Sequence, residues 1–241
     1  MTTLPLASAT LELGATEPTR RDGANVRYGR FLASTHAEGP GRRAALWLQG
    51  CAVRCPGCFN PQLWADRGGT VAGTAEVGAQ FVSQALAAGA EGVTLLGGEP
   101  FDQAEAAASI AEAFRDAGLT VMTFSGYTAE RLTAWAEHRP DIARLLSATD
   151  LLADGPYLQD RPDTRRPWIG STNQRLRALT PVYAEALRDI ARTGGDDRIE
   201  VRIAPGGAVT VNGWASDAAL ETLLHDLGVR ADTPRRREHA P

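Results

Sequence analysis

At 241 residues, 43% of them hydrophobic, the chain is long enough to bury a full core and reads as one domain. A formal charge of −4 excludes nucleic-acid binding through a basic field, and no apolar run reaches the length of a membrane span. All 25 basic residues are arginine, so Schiff-base chemistry on a lysine is excluded as well.

Residues 1–25, rich in Thr, Ala, Glu and Pro without periodicity, read as a flexible lead-in. Val26 to Ser34 reads as a strand, and Arg43 to Gln49 as an apolar strand that delivers Cys51 to a loop. Residues 75–88 are expected to be helical and Gly92 to Leu96 a buried strand. Gln103 to Ala117 is an Ala-rich amphipathic helix closed by Gly118. Leu119 to Phe124 is the next strand, followed by a helix from Thr128 to His138, a helical piece starting at Pro140-Asp141, and a strand from Asp150 to Ala153. This βαβα alternation predicts an α/β fold with a mostly parallel sheet. Thr180 to Arg192 reads as helix, Ile199 to Ala204 and Ala208 to Asn212 as a hairpin across Pro205-Gly206-Gly207, and Ser216 to Leu227 as a last helix. The domain is thus expected over 26–230, with 231–241, which holds Arg235-Arg236-Arg237, a flexible basic tail.

The chain's three cysteines fall in one eight-residue run, Cys51-Ala-Val-Arg-Cys55-Pro-Gly-Cys58. Three thiolates leave a four-coordinate zinc or all-cysteine cluster shell one ligand short, so the triplet points to a 4Fe-4S cluster with one iron open to substrate. A Cys₃His zinc site would need His36, His138, His225 or His239, and none lies close to Cys58 in sequence. An odd number of clustered cysteines makes a poor disulfide framework, and no segment resembles a signal peptide, which places the expected site in a reducing cytoplasm.

Three consecutive strands end in candidate ligand loops: Gly97-Gly98-Glu99-Pro100, Ser125-Gly126-Tyr127 and Asp154-Gly155-Pro156-Tyr157. Each alone is an ordinary turn or helix cap. Together, at the carboxyl ends of parallel strands where α/β folds bind ligands, they should face one cavity with the cysteine loop.

The run Glu38-Gly39-Pro40-Gly41-Arg42, then Gln49-Gly50 through Cys58-Phe59-Asn60, then Gly97-Gly98-Glu99-Pro100 resembles the radical S-adenosylmethionine (SAM) superfamily, and within it the glycyl-radical-enzyme activases. Ser125-Gly126-Tyr127, Asp154-Gly155 and Trp168-Ile169-Gly170-Ser171-Thr172-Asn173-Gln174 are similar to the subgroup that activates anaerobic ribonucleoside-triphosphate reductase. The similarity runs from about Tyr28 to about Arg177, and the residues after Thr180 look like an extension. Many members place an aromatic residue before the third cysteine, whereas this chain has Gly57 there and Phe59 after it, as in the subgroup. Sequence alone gives no physical account of Gly170 to Gln174.

The resemblance implies a partial (β/α)₆ barrel with mostly parallel strands, plus the C-terminal hairpin and helix, carrying a 4Fe-4S cluster and SAM at its mouth. Cys51, Cys55 and Cys58 would hold three irons, and the amine and carboxylate of SAM the fourth. Gly57 and Phe59 would contact adenine. Gly97, Gly98, Glu99 and Pro100 would meet the methionyl amine, so a side chain at Gly98 is expected to fill the amine site. Ser125 and Asp154 complete the expected cofactor contacts, Asp154 through a cation or water beside the SAM carboxylate, and no further catalytic side chain is expected. Reduction of SAM by a flavodoxin- or ferredoxin-type donor would yield a 5′-deoxyadenosyl radical that abstracts hydrogen from a backbone glycine of a partner glycyl radical enzyme. The alternative is the same chemistry on a small molecule or peptide, with residues 180–228 as a lid.

Overall fold

The computed structural model describes residues 16–195, 199–203, 205–207, 209–213, 217–226 and 228. The expected basic tail at 231–241 and the first 15 residues of the expected lead-in lie outside the described residues. Nine strands are described: β1 Asn25–Thr35, β2 Arg43–Leu48, β3 Thr70–Gly73, β4 Gly92–Gly97, β5 Thr120–Ser125, β6 Leu151–Asp154, β7 Arg175–Ala178, β8 Glu200–Ile203 and β9 Val209–Asn212. The helices are α1 Thr74–Ala87, α2 Ala104–Asp116, α3 Ala129–Ala136, α4 Pro140–Ala148, α5 Ala184–Thr193 and α6 Asp217–Asp226.

The large sheet has the order β3-β1-β2-β4-β5-β6-β7. β2, β4, β5 and β6 pair in parallel, while β1 and β7 run antiparallel to their neighbours. Where a six-fold β/α repeat is implied by the resemblance, the parallel run here is four strands long. β8 and β9 form the expected hairpin, a separate two-stranded sheet.

Alternation along the strands sets the two faces. Ala44, Leu46 and Leu48 of β2, with Val93 and Leu95 of β4, join Val77 and Phe81 of α1, Ile110 and Phe114 of α2, and Ile142 and Leu145 of α4 in one core. Right-handed crossovers between parallel strands put the helices of the repeat on this one face. The intervening residues Ala45, Trp47, Leu96, Phe124, Met122 and Ala153 point to the other face, where Ile169 and partly buried Trp168, Tyr183 and Leu187 pack.

Arg43, also on that face, is fully buried with no carboxylate bonded to it. Its guanidinium donates to Thr94 Oγ1 (3.0 Å), Thr120 Oγ1 (3.0 Å), the Tyr183 hydroxyl (2.7 Å) and the carbonyls of Val93 (2.6 Å) and Thr120 (3.1 Å). Burial pushes its pKa down, and these five neutral acceptors replace the lost hydration.

Most elements stand within about two residues of their expected bounds, the ordinary ambiguity of element ends. β3 and β7 are missing from the sequence reading because each is an outer strand of only four residues, too short to stand out as a pattern of its own. The stretch before β1 departs from a free lead-in: Arg139 donates to Glu17 Oε1 (3.1 Å) and to the Pro18 carbonyl (2.5 Å).

Replacing Phe114, fully buried between α2 and the sheet, with Ala should destabilise the fold by about 3–5 kcal/mol. Phe59→Ala, at a half-exposed ring, should cost under about 1 kcal/mol by the same chemical denaturation measurement.

Candidate active site

β2 delivers the cysteine loop, and backbone hydrogen bonds fix its path. Gly50 N–H donates to the Leu63 carbonyl (2.8 Å), Cys51 N–H to the Trp64 carbonyl (3.0 Å) and Cys58 N–H to the Cys55 carbonyl (3.1 Å). Arg54 (φ 49°) and Gly57 (φ 76°) form left-handed corners that bring the loop round. All three thiols are free and line one cavity of ≈ 420 Å³ at the carboxyl ends of the parallel strands. Burial, reinforced by nearby Glu99, pushes the Cys51 thiol up to about 12, and burial pushes Cys55 up to about 11.

The Gly97 to Pro100 segment is the seat of that loop. Gly98 N–H donates to the Leu48 carbonyl and Glu99 N–H to the Gly50 carbonyl, each at 2.8 Å. A Cβ on Gly98 would stand 2.2 Å from the Gly50 carbonyl oxygen. The expectation that a side chain there fills an amine site is therefore corrected: it would strike the backbone that carries Cys51. Gly97 (φ 100°) is similarly tight, its Cβ falling 2.7 Å from Trp47 Cα.

Glu99 borders the cavity with its carboxylate already engaged. Oε1 accepts from Phe101 N–H (3.0 Å) and Ser125 Oγ (3.0 Å), and Oε2 from Gly126 N–H (2.7 Å). Asp102, which the sequence reading missed, accepts from Ala52 N–H and the Tyr127 hydroxyl, both at 2.7 Å. Burial raises the pKa of both acids, Glu99 to about 8 with Asp102 as the next cause. These bonds join the cysteine, β4 and β5 loops. Ser125, one of the expected contacts, lines the cavity and accepts from Tyr127 N–H (3.0 Å).

The Gly170 to Gln174 motif now has a physical account. Gln174 Oε1 accepts from Gly170 N–H (2.9 Å) and Ser171 N–H (3.1 Å), while its Nε2 donates to the Gly155 carbonyl (3.0 Å). Asn173 Nδ2 donates to the Pro156 carbonyl (2.7 Å), and buried Ser171 Oγ accepts from Leu158 N–H (3.1 Å). The motif therefore staples its own loop to the loop after β6. It sets Trp168, Ile169 and Gly170 on the cavity wall beside Tyr157 and Phe59, whose rings meet at 5.2 Å. A Cβ on Gly170 would press to 2.9 Å from the Tyr157 ring.

Of the expected contacts, Phe59, Gly97, Gly98, Glu99 and Ser125 line the cavity with the three cysteines, and Gly57, Pro100 and Asp154 do not. Gly57 turns the loop, and a Cβ there would face Gln159 at 2.6 Å. Pro100 starts a short 3-10 helix after Glu99. Asp154 accepts from Arg177 Nε (2.7 Å) and Ala129 N–H (2.9 Å), which ties it to β7 and the start of α3. Arg30, Trp47, Trp64 and Asn212 also line the cavity. For Trp47 the alternation of β2 carried a signal; the others come together only in three dimensions.

The donor set suits a cluster better than a single ion. Among the described residues, no three His, Cys, Asp or Glu side chains converge as one ion requires. A cubane offers each thiolate its own iron, so three thiols lining one cavity need not converge on a single ion. Trp64 lines the same cavity, and its buried indole N–H has no acceptor among the described residues.

Comparison with known proteins agrees. The 4Fe-4S single cluster domain family matches residues 37–177. The anaerobic ribonucleoside-triphosphate reductase-activating protein of Enterobacteria phage T4 is 30% identical over 159 residues, 64% of this chain and 96% of that protein. The chain belongs to this family. Proteins of the same name from Salmonella typhi and Escherichia coli K12 are each 26% identical over 160 residues, 64% of this chain and 99% of theirs. The solved structure of QueE from Escherichia coli overlaps partially, with a TM-score of 0.35 and 17% identity over 43% of this chain and 54% of that one.

Because burial holds Cys51 and Cys55 protonated, metal loading must displace their protons. Iron and sulfide incorporation should release protons and become more favourable as pH rises, as read by proton release during anaerobic reconstitution. Gly98→Val should lower iron content rather than SAM affinity alone. Gln174→Leu should keep its iron, and loss of the staple should weaken SAM binding by roughly tenfold, on the scale of one buried hydrogen bond.

Proposed function

We propose that the chain reductively cleaves SAM and abstracts hydrogen from a backbone glycine of a partner glycyl radical enzyme, of the anaerobic ribonucleotide reductase kind. The observation that carries this reading is the single cavity that gathers all three thiols, the Gly97 to Glu99 seat and the loop held by Gln174. When bound, the cluster and SAM supply an electron and a 5′-deoxyadenosyl radical. The protein's own residues position and shield. Cys51, Cys55 and Cys58 hold the cluster, and Phe59, Ser125 and the Gly97 and Gly98 backbone border SAM. Trp47, Phe124, Trp168 and Ile169 keep an apolar wall that offers few competing hydrogen-bonding groups. The sheet serves as a partial barrel, with 26–230 as the functional unit.

Reductant comes from a flavodoxin- or ferredoxin-type donor, and the site works in the reducing cytoplasm. No helix among the described residues is long and apolar enough to cross a membrane. A small-molecule or peptide substrate is the second reading, favoured by the one observation that Val211, Asn212 and Gly213 of the extension close on the cavity.

Anaerobically reconstituted protein should bind about four irons, following the three-cysteine ligation. Cys51→Ala, Cys55→Ala and Cys58→Ala should each lose the brown chromophore; one zinc without sulfide would refute the reading. With reductant, SAM and the partner, electron paramagnetic resonance should show a glycyl doublet on the partner, and deuterium at that glycine should appear in 5′-deoxyadenosine. Deuterium arriving instead from a small metabolite would move the assignment to the second reading.

A further inference from the structure

Family matching ends at residue 177, and the relatives are covered almost end to end by 64% of this chain, so the β8–β9 hairpin is an addition to the shared fold. It is fastened to β1 by polar contacts. Glu200 Oε2 accepts from Thr35 Oγ1 (2.6 Å) and His36 N–H (3.1 Å), Arg202 donates to the Ser34 carbonyl, and Gly213 N–H donates to Glu38 Oε1 (3.1 Å). A fifth contact lies on the cavity wall: Arg30 Nη1 donates to Asn212 Oδ1 at 2.7 Å, with the Arg30 guanidinium 5.0 Å from the Trp47 ring centre.

That bond fixes which way the Asn212 amide points, since the reverse orientation would set donor against donor. Its Nδ2 is then left buried, with no partner among the described residues, in a residue only 3% exposed. Natural proteins leave few such donors unpaired, and because Asn212 lines the cavity, the missing acceptor belongs to what the cavity receives. The charges around it are balanced: Arg30 and Arg202 stand near Glu38 and Glu200. Arg202 pairs with Glu200 at 2.5 Å. A neutral oxygen can therefore enter without upsetting the balance, whereas a carboxylate would add an unmatched charge.

We propose that Asn212, braced by Arg30, is a subsite for a peptide carbonyl oxygen of the substrate, through which the added hairpin positions the glycine-bearing loop. This rests on the protein-substrate reading above and names a specificity residue within it. Asn212 moves no proton or electron; it is a positioning residue.

The test uses reconstituted protein with SAM and no reductant, so that its result does not depend on radical transfer. The probe is the blocked peptide acetyl-Ala-Gly-Ala-amide, followed by tryptophan fluorescence, with acetate as the charged competitor. Peptide should bind and acetate should compete poorly. Asn212→Asp keeps the shape and the contact to Arg30 while turning the orphan donor into an acceptor, and it should weaken peptide binding by roughly tenfold with SAM affinity held. Arg30→Met, which removes the brace without adding charge, should weaken it in the same direction. Peptide affinity untouched in both variants, acetate binding more tightly than peptide, or SAM affinity falling in step with peptide affinity would each overturn the assignment. Peptide bound as expected, but with no radical formed on any partner once reductant is supplied, would instead refute the activase reading and leave the subsite standing.

Discussion

Everything at the site depends on how closely the ends of β2 and β4 approach. The parallel pair runs in register to Leu48 and Gly97, and the ladder then continues into the loops through Gly98 N–H to the Leu48 carbonyl and Glu99 N–H to the Gly50 carbonyl. Only a residue without a Cβ permits this approach, because the next atom beyond Gly98 is the Gly50 carbonyl itself. The cysteine loop is thus an extension of the sheet rather than a free excursion from it. Its ligands inherit the rigidity of the core that α1, α2 and α4 cover on the opposite face.

Two acids beside the cysteine loop serve to join loops. Glu99 and Asp102 take five hydrogen bonds between them from the β5 loop, the cysteine loop, Phe101 and Tyr127. Desolvation favours their neutral forms and these donors favour the charged ones, and burial carries the balance upward. Their oxygens are engaged in tying together the loops around the cysteines. Asp154, which does not line the cavity, is likewise engaged, accepting from Arg177 and from Ala129 N–H at the start of α3.

The cysteine triplet, the order of the elements and the hairpin were legible in the sequence because each is a local pattern of spacing or alternation. The Gly98 seat was legible as a position but not in its reason, since the atom it must avoid lies about fifty residues away along the chain, at Gly50. Gln174 shows the limit more sharply. Its side chain satisfies two backbone N–H groups in its own turn and one carbonyl 19 residues back, and nothing in composition or periodicity announces such a contact. Asn212 and Arg30, 182 residues apart, belong to the same class.

The added C-terminal residues can cover the cavity without disturbing the core because they attach to the face of the sheet that the crossover helices leave open. The attachment is polar at both ends. Tyr183, just before α5, accepts from buried Arg43, and the hairpin is held to β1 by Glu200, Arg202 and Asn212. Among the described residues no carboxylate hydrogen-bonds to Arg43, and Asp150 and Glu91 act on it only through their charge, so each neutral acceptor matters to its desolvation cost, and the Tyr183 hydroxyl is one that the chain beyond residue 180 supplies. Cavity wall and buried cation are therefore linked through the same segment. A change that loosened α5 would be felt first as an under-solvated guanidinium on the same face of the sheet that carries the cavity wall, which ties the stability of this face to the shape in which substrate is received.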